Sequence, residues 1–458
     1  MRLVVVGGSD AGIEAARRAV EVDRDIEARV LVADAYPNFS ICGIPYHISG
    51  EVPDWRRLAH RGVPELEAEG LRLALDHRVT AVDVAARTVA FEAPTGPGEL
   101  NYDRLVLATG ADPQRPPISG LDSLGPADGV HVLHSMGDTF GVTGDLRARN
   151  PRSAVIVGAG YIGMEMAEAL TTRGLEVTVV EQLPHVLPRT VDSALAMDIE
   201  DALAANHVAL HTGTAVQRIE RDGDGLRVET TTAEFRTDLV LVVTGVFPNT
   251  TLAATAGATL GVAGGIVVDE RMRTNLPNVY AAGDCVHTHH RLLASPTYLP
   301  LGTTAHKQGR IAGANAAGRA DRFAGTLGTQ VVKVFDRVAA ATGLRDEDAR
   351  AAGYQPRTVA ARADDHKAYY PGATTLRARI TGDARTGRLL GAQLVGRLGA
   401  EVAKRIDIFA AAIHHEMTVE ELADLDLSYT PPLGSPWDAV QIMAFSWVRT
   451  HVPPGTGS

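Results

Sequence analysis

Only two of the 458 residues carry a thiol, Cys42 and Cys285. Cys42 stands in the run Asn38-Phe39-Ser40-Ile41-Cys42-Gly43-Ile44-Pro45-Tyr46-His47, just after the acidic end of a strand and at the expected start of a helix. A helix N-terminus lowers a thiol pKa and favours the thiolate, the reactive form. A lone thiolate can cycle through a mixed disulfide, a persulfide or a sulfenic acid. The competing reading is a small inert core side chain, the commoner role of an isolated cysteine. Cys285 is read that way. The two cysteines are far apart, and a reducing compartment argues against a bridge between them.

Glycines form the second set. Gly7-Gly8-Ser9-Asp10-Ala11-Gly12 follows the apolar run Leu3 to Val6 and precedes helical spacing over Ile13 to Val22. Small residues there let backbone N–H groups approach a pyrophosphate at a helix N-terminus. Asp34, at the end of a strand over Arg29 to Ala33, can accept from ribose hydroxyls. Asp10 can act as a proton acceptor or cap the first helix. Two further segments end in small-residue turns. Tyr102 to Gly110 ends at Thr109-Gly110, and Thr274 to Asp284 ends at Gly283-Asp284. The Asp284 carboxylate can bind a ribityl hydroxyl. Together these segments resemble the FAD site of the two-dinucleotide-binding flavoproteins, and the resemblance implies FAD, with Gly245, Gly302, Thr303 and Thr304 as further candidate contacts.

A second, fuller glycine motif reads Gly158-Ala159-Gly160-Tyr161-Ile162-Gly163, after a strand over Ala154 to Val157 and before a helix over Met164 to Arg173. Glu181 ends the next strand. A carboxylate there suits the free 2′-hydroxyl of NADH and repels the 2′-phosphate of NADPH, so NADH is preferred. His287, His289 and His290 cluster after Asp284 without carboxylate or thiol spacing for a metal, so no metal is assigned. His60 and His306 read as surface or core histidines.

These residues need an α/β frame with two Rossmann-like nucleotide-binding domains (FAD and NAD) and a third, α+β domain. The FAD domain is split over two stretches of chain, 1–112 and 250–322. The NAD(P)H domain, 113–249, is inserted between them. The third domain covers 323–450, with strands over Val331 to Phe335 and Leu376 to Ile380 before a helix from Ala400 to His415, and 451–458 is a tail. Segments Asp112 to Gly125 and Gly257 to Gly265 read as separators. Hydrophobic residues make up 45% of the chain and net charge is -11 with the signs interspersed. No basic stripe offers a nucleic-acid or membrane surface. The N-terminus reads as a buried strand and not a signal peptide, and no apolar run reaches the ~20 residues of a membrane helix. A cytoplasmic protein is expected.

With those segments in place, the chain resembles the single-cysteine branch of the FAD-dependent pyridine nucleotide-disulfide oxidoreductases, which holds coenzyme A-disulfide and persulfide reductases, NADH oxidases and NADH peroxidases. The match runs through Phe39 to Gly43, Gly302 to Gly318, Tyr369-Tyr370-Pro371-Gly372, Gly391-Ala392-Gln393, Lys404 to Asp407 and Tyr429-Thr430-Pro431-Pro432. The resemblance implies a homodimer whose third domain forms the interface. It also implies that Tyr370 (or Tyr369) and Tyr429 reach the partner's cysteine as proton donors, interface packing being their other reading. His366 precedes the tyrosine pair and is placed near that cysteine too. His47 stands where two-cysteine relatives carry the second thiol, which removes an internal dithiol.

Three departures matter. Val20 and Glu21 occupy first-helix positions that are basic in coenzyme A-disulfide reductases, which weakens coenzyme A as substrate. Asp10 replaces the histidine of the peroxidases. The loop from Asp34 to Asn38 is two residues shorter than in those relatives. The expected activity is reduction of a small-molecule disulfide or persulfide by NADH through FAD and Cys42. An oxidase or peroxidase cycling Cys42 through a sulfenic acid is the second reading, with oxygen or peroxide as substrate. A redox-responsive flavoprotein that binds a partner is the third.

Overall fold

The computed structural model describes residues 1–451. Of the expected tail, only His451 falls within them, and it ends a helix; 452–458 lie outside the described residues. Six helices matter below: α1 (Asp10–Val22), α2 (Ile44–Ser49), α3 (Tyr161–Thr172), α4 (Gly302–Ala316), α5 (Val402–His414) and α6 (Ala439–His451).

The first apolar run becomes the strand Arg2–Val6 at the centre of a five-stranded parallel sheet. Its neighbours are Glu27–Leu31 and Arg104–Leu107, with Val4 in register with Arg29 and Leu105. Val279–Ala281 and Leu71–Ala74 form the edges. Leu3, Val5, Leu105 and Leu107 are fully buried, as expected for a parallel sheet covered on both faces. A second five-stranded parallel sheet is built the same way around Ser153–Val157, between Glu176–Val180 and Leu239–Val242. Each sheet therefore has a glycine turn at the carboxyl end of a central strand, where open α/β sheets bind ligands.

The segment Ala111–Pro113, expected to be only a separator, is a short strand paired antiparallel with Val246–Pro248. The chain thus enters and leaves the region of the second sheet through one two-stranded ribbon.

The third unit is a five-stranded antiparallel sheet, Gln330–Val334, Arg337–Gly343, Leu389–Arg397, Thr375–Asp383 and Pro356–Asp364 in spatial order, covered by α5 and α6. The strand and helix expected over Val331 to Phe335 and Ala400 to His415 are present with ends shifted by one or two residues. The unit is tied to α3: Glu168 pairs with Lys333 and accepts from the Phe335 N–H at 2.8 Å. Arg377 meets both Asp198 oxygens at 2.9 Å.

α1 and α4 cross in backbone contact. A Cβ on Gly309 would stand 2.3 Å from the Ala11 carbonyl oxygen, and one on Gly313 2.0 Å from that of Ala15. Only glycine permits this approach, and it fixes α1 and α4 as one rigid pair. Among the described residues, no helix is long and apolar enough to cross a membrane.

Candidate active site

Cys42 lies in a single 3-10 turn, Ile41–Gly43, that runs into α2 with Pro45 in its first turn. The preceding residues are anchored by Phe39 pairing with Ala59 and by the aromatic cluster of Tyr36, Phe39, Trp55 and Phe140. α2 packs on α3, and Ile44 and Ile48 are buried in the same core as Met164 and Met166.

The Cys42 thiol is open to solvent yet walled by protein. That burial, then the carboxylates of Glu165, Asp10 and Asp284, push its pKa up. This corrects the expectation of a lowered pKa. The helix that follows has only six residues, and its end charge is a fraction of an elementary charge, weaker than three nearby carboxylates.

Glu165, on α3, was missed in the sequence. Its trace there is a carboxylate between Met164 and Met166 in an otherwise apolar helix face. It accepts a hydrogen bond from Tyr46 Oη at 3.3 Å, and burial pushes its carboxyl up to about 7. Glu168 adds to the rise, and Lys333 opposes it.

Asp10 is a further correction. Ser9 is the N-cap of α1, and Asp10 is its first helical residue, so it does not cap the helix. Its Oδ1 faces His306 Nε2 at 3.3 Å and His60 Nε2 at 3.9 Å. The facing Asp10 carboxylate raises the His306 pKa against the effect of burial. The two histidines read from the sequence as bulk surface or core residues are thus brought together at Asp10.

The two glycine turns are alike. Gly7 and Gly158 have φ of +116° and +109°, and a Cβ on Gly12 or Gly163 would come within 2.0 Å of a backbone oxygen in its own turn. Gly160 is different. Apart from its chain neighbours, no atom of the described residues lies within 4 Å of its would-be Cβ, so packing does not demand glycine there, and the turn stays open at the start of α3. Tyr161 and Ile162 are half-buried in the first turn of α3. Glu181 is buried beneath this turn and accepts from the Ala159 N–H at 2.8 Å and the Leu183 N–H at 2.9 Å. It therefore shapes the turn, with lone pairs left for a ribose.

Around the first turn, Ala11 is buried against Gly283. Asp284 follows, its carboxyl pushed up to about 6 by burial and then by Asp10. No protein donor to this carboxylate is found among the described residues, so the residues present fit a bound polyol and pyrophosphate. Gly302 opens α4 beside Asp10, and Thr303 lies exposed. Thr304 is buried, with its hydroxyl 3.2 Å from that of Thr326. Thr109 donates its hydroxyl to Asn249 O at 2.6 Å, and Gly110 and Gly245 have positive φ at the ends of the ribbon. Asp34 stands three residues past Leu31, not directly at a strand end, and is exposed, accepting from the Tyr36 N–H at 2.9 Å.

Tyr370 and Tyr429 are half-exposed on the third unit. Tyr370 packs edge-on to His366, whose Nδ1 is 2.9 Å from Asp365. His47 is buried, and its Nδ1 holds the Val52 carbonyl at 2.8 Å, a turn-fixing role. His287 bonds the Val268 backbone, and His290 Nδ1 accepts from the Leu292 N–H. Cys285 is fully buried.

Residues 1–309 match the profile described as pyridine nucleotide-disulphide oxidoreductase, and 329–439 match its dimerisation domain. A protein of Pyrococcus abyssi named NAD(P)H sulfur oxidoreductase (CoA-dependent) is 35% identical over 96% of this chain and 97% of its own. A coenzyme A disulfide reductase of Staphylococcus haemolyticus is 29% identical over 97% of this chain and 98% of its own. Among solved structures, an NAD-dependent persulfide reductase from A. fulgidus superposes with a TM-score of 0.93 at 37% identity, covering 98% of this chain and 83% of that one. A water-forming NADH oxidase from Lactobacillus brevis bound to NADH gives 0.92 at 28% identity, covering 98% of both. With two glycine turns on parallel sheets, a solvent-open cysteine and a dimerisation domain, the chain belongs to the FAD-dependent pyridine nucleotide-disulphide oxidoreductase family.

Proposed function

We propose that the protein reduces low-molecular-weight disulfides or persulfides with NADH, using FAD and the single redox cysteine Cys42. The observation that carries this reading is a solvent-open Cys42 thiol with no second cysteine beside it, since Cys285 is fully buried. FAD, when bound, relays two electrons from the nicotinamide to sulfur. The FAD domain is assigned to 1–112 and 250–322, the NAD(P)H domain to 113–249 and the dimerisation domain to 323–450. Gly7, Gly8, Ser9, Ala11, Gly12, Asp34, Thr109, Gly110, Gly245, Gly283, Asp284 and Gly302 to Thr304 would hold FAD. Gly158, Gly160 to Gly163 and Glu181 would hold NADH. The buried Glu181 carboxylate supports NADH, since a 2′-phosphate there would meet a like charge.

The Cys42 thiolate attacks the acceptor R–S–S–R′, forming Cys42–S–S–R and displacing R′S⁻, which takes up a proton. Two electrons then cleave the mixed disulfide, and RS⁻ leaves with a second proton while Cys42 returns to thiolate. In a homodimer, Tyr370 and Tyr429 of the opposite chain would donate those protons, and Asp10 would bias the charge at the site. Arg17 is committed to Glu14 and Glu69, and Arg18 to Glu21, which supports a smaller thiol over the phosphates of coenzyme A. The two unpaired thiols suit a cytoplasmic setting.

A second reading is reduction of oxygen or peroxide. The solvent-open thiol favours it, being accessible to sulfenic acid formation. One experiment separates the two. The enzyme is reduced with NADH anaerobically, and disulfides, a persulfide, peroxide and oxygen are added in turn while flavin absorbance is followed. Rapid reoxidation by a disulfide or persulfide, lost in Cys42→Ser, is expected. Normal turnover of every acceptor by the serine variant would sink the cysteine mechanism.

A further inference from the structure

We propose that Asp10, His60 and His306 form a binding site for a divalent transition-metal cation of the Zn²⁺ class. Their donor atoms all lie within 4.8 Å of one another. Zn²⁺ binds imidazole nitrogen and carboxylate oxygen at about 2.0–2.2 Å, so neighbouring donors in a tetrahedral shell stand roughly 3.3 Å apart. Asp10 Oδ1 and His306 Nε2 already have that spacing at 3.3 Å, and His60 Nε2 is at 3.9 Å. A small rotation of the half-exposed His60 ring closes the set.

Two imidazoles converge on one carboxylate oxygen that is shut off from solvent and makes no well-formed hydrogen bond among the described residues. One imidazolium would satisfy it, and two would repel each other. A shared cation satisfies all three. The surroundings favour positive charge: Asp284 lies close enough for its carboxyl to feel Asp10, while Arg17 is neutralised by Glu14 and Glu69.

The scaffold is rigid where it needs to be. Asp10 and His306 sit on α1 and α4, locked together at Gly309 and Gly313. His60 is on the loop whose N–H bonds Asn38 O at 2.9 Å, on the segment leading to Cys42. A cation held here would tie α1, α4 and the Cys42 segment at one point. Two nitrogens and one oxygen with an open fourth position match Zn²⁺, Co²⁺ or Ni²⁺, whereas Mg²⁺ and Ca²⁺ want six or more oxygens.

The test is calorimetric titration of Zn²⁺ into the FAD-loaded protein, with Co²⁺ absorption as a coordination readout. Cys42→Ser is run in parallel, because the thiol is a competing ligand. One Zn²⁺ per chain is expected in wild type and in Cys42→Ser, with Mg²⁺ not competing. His306→Gln and His60→Gln should each weaken binding by at least the roughly 10–100-fold that outer-sphere changes cost. FAD content and circular dichroism establish that each variant is folded, and single histidine variants at His289 serve as exposed controls. Absence of stoichiometric binding, binding lost only in Cys42→Ser, or unchanged affinity in folded His60→Gln/His306→Gln would each overturn the site.

Discussion

At the scale of single residues, the chemistry of Cys42 is set by burial and then by charge. A thiol flanked by Glu165, Asp10 and Asp284 is held in its protonated form to higher pH than its place before a helix suggests. Removing one of those charges has a definite sign. Glu165→Gln should lower the Cys42 pKa, read as an acid shift in the pH profile of iodoacetamide alkylation, and an unshifted profile would mean that Glu165 does not act on the thiol. The same variant tests stability. The Glu165 carboxyl moves from its ordinary 4.5 to about 7 in the fold. Between those values the native state binds more protons than the unfolded state, so stability falls as pH rises from about 4.5 to 7 and levels above. Each unit is worth about 1.4 kcal/mol, so the decline attributable to this group is on the order of a few kcal/mol. Urea unfolding of Glu165→Gln at pH 5 and pH 8 should lack that share of the slope.

The legibility of the site follows from what each residue answers to. The glycine turns were readable because backbone sterics fix them: Gly7, Gly12, Gly158 and Gly163 each have no room or no suitable φ for a side chain. Cys42 was readable as a lone thiol. Glu165, His60 and His306 were not, because nothing local places them. Glu165 reaches Cys42 through the packing of α2 on α3, and His306 meets Asp10 through the crossing of α4 on α1, pairs separated by more than a hundred positions. The direction of the thiol pKa was misread for the same reason, since a local helix end was weighed without the burial of the thiol and the carboxylates that the fold brings to it.

At the scale of elements, the decisive contact is the α1–α4 crossing. The end of α1 fell where its apolar spacing placed it and its start three residues earlier, whereas α4 was legible only as the stretch Gly302 to Gly318 of the family resemblance. The close approach itself was hidden, since a glycine in a helix also reads simply as a weak position. Gly313→Ala pushes a methyl into the Ala15 carbonyl. A rigid backbone cannot yield to it, and overpacking of this kind costs about 1–3 kcal/mol. Thermal unfolding should show a lowered midpoint together with looser FAD retention, because the N-termini of both helices flank Asp10 and Gly302. An unchanged midpoint would show that the crossing can relax.

At the scale of the whole molecule, the third unit carries most of the exposed large apolar side chains. Tyr369, Leu433, Leu398 and Trp437 are 72%, 74%, 61% and 53% exposed, and Tyr370 and Tyr429 lie among them in sequence. These residues all lie within the stretch that matches the dimerisation domain, where a partner chain would cover them. Leu433→Glu should shift the protein toward monomer in analytical ultracentrifugation and lower disulfide turnover in parallel. Loss of the dimer with turnover retained would remove the tyrosines of the opposite chain from the mechanism.

The ribbon of Ala111–Pro113 and Val246–Pro248 has a practical reach. Departure and return of the intervening chain lie side by side in one antiparallel pair, with Asp112 opposite Phe247. The unit hung on that ribbon behaves topologically as a cassette. A coenzyme-recognition module from another flavoprotein could be spliced at two adjacent points without rerouting the polypeptide on either side. The same cut carries α3 with it, so an exchanged cassette would also replace Glu165, the carboxylate that acts on the Cys42 thiol.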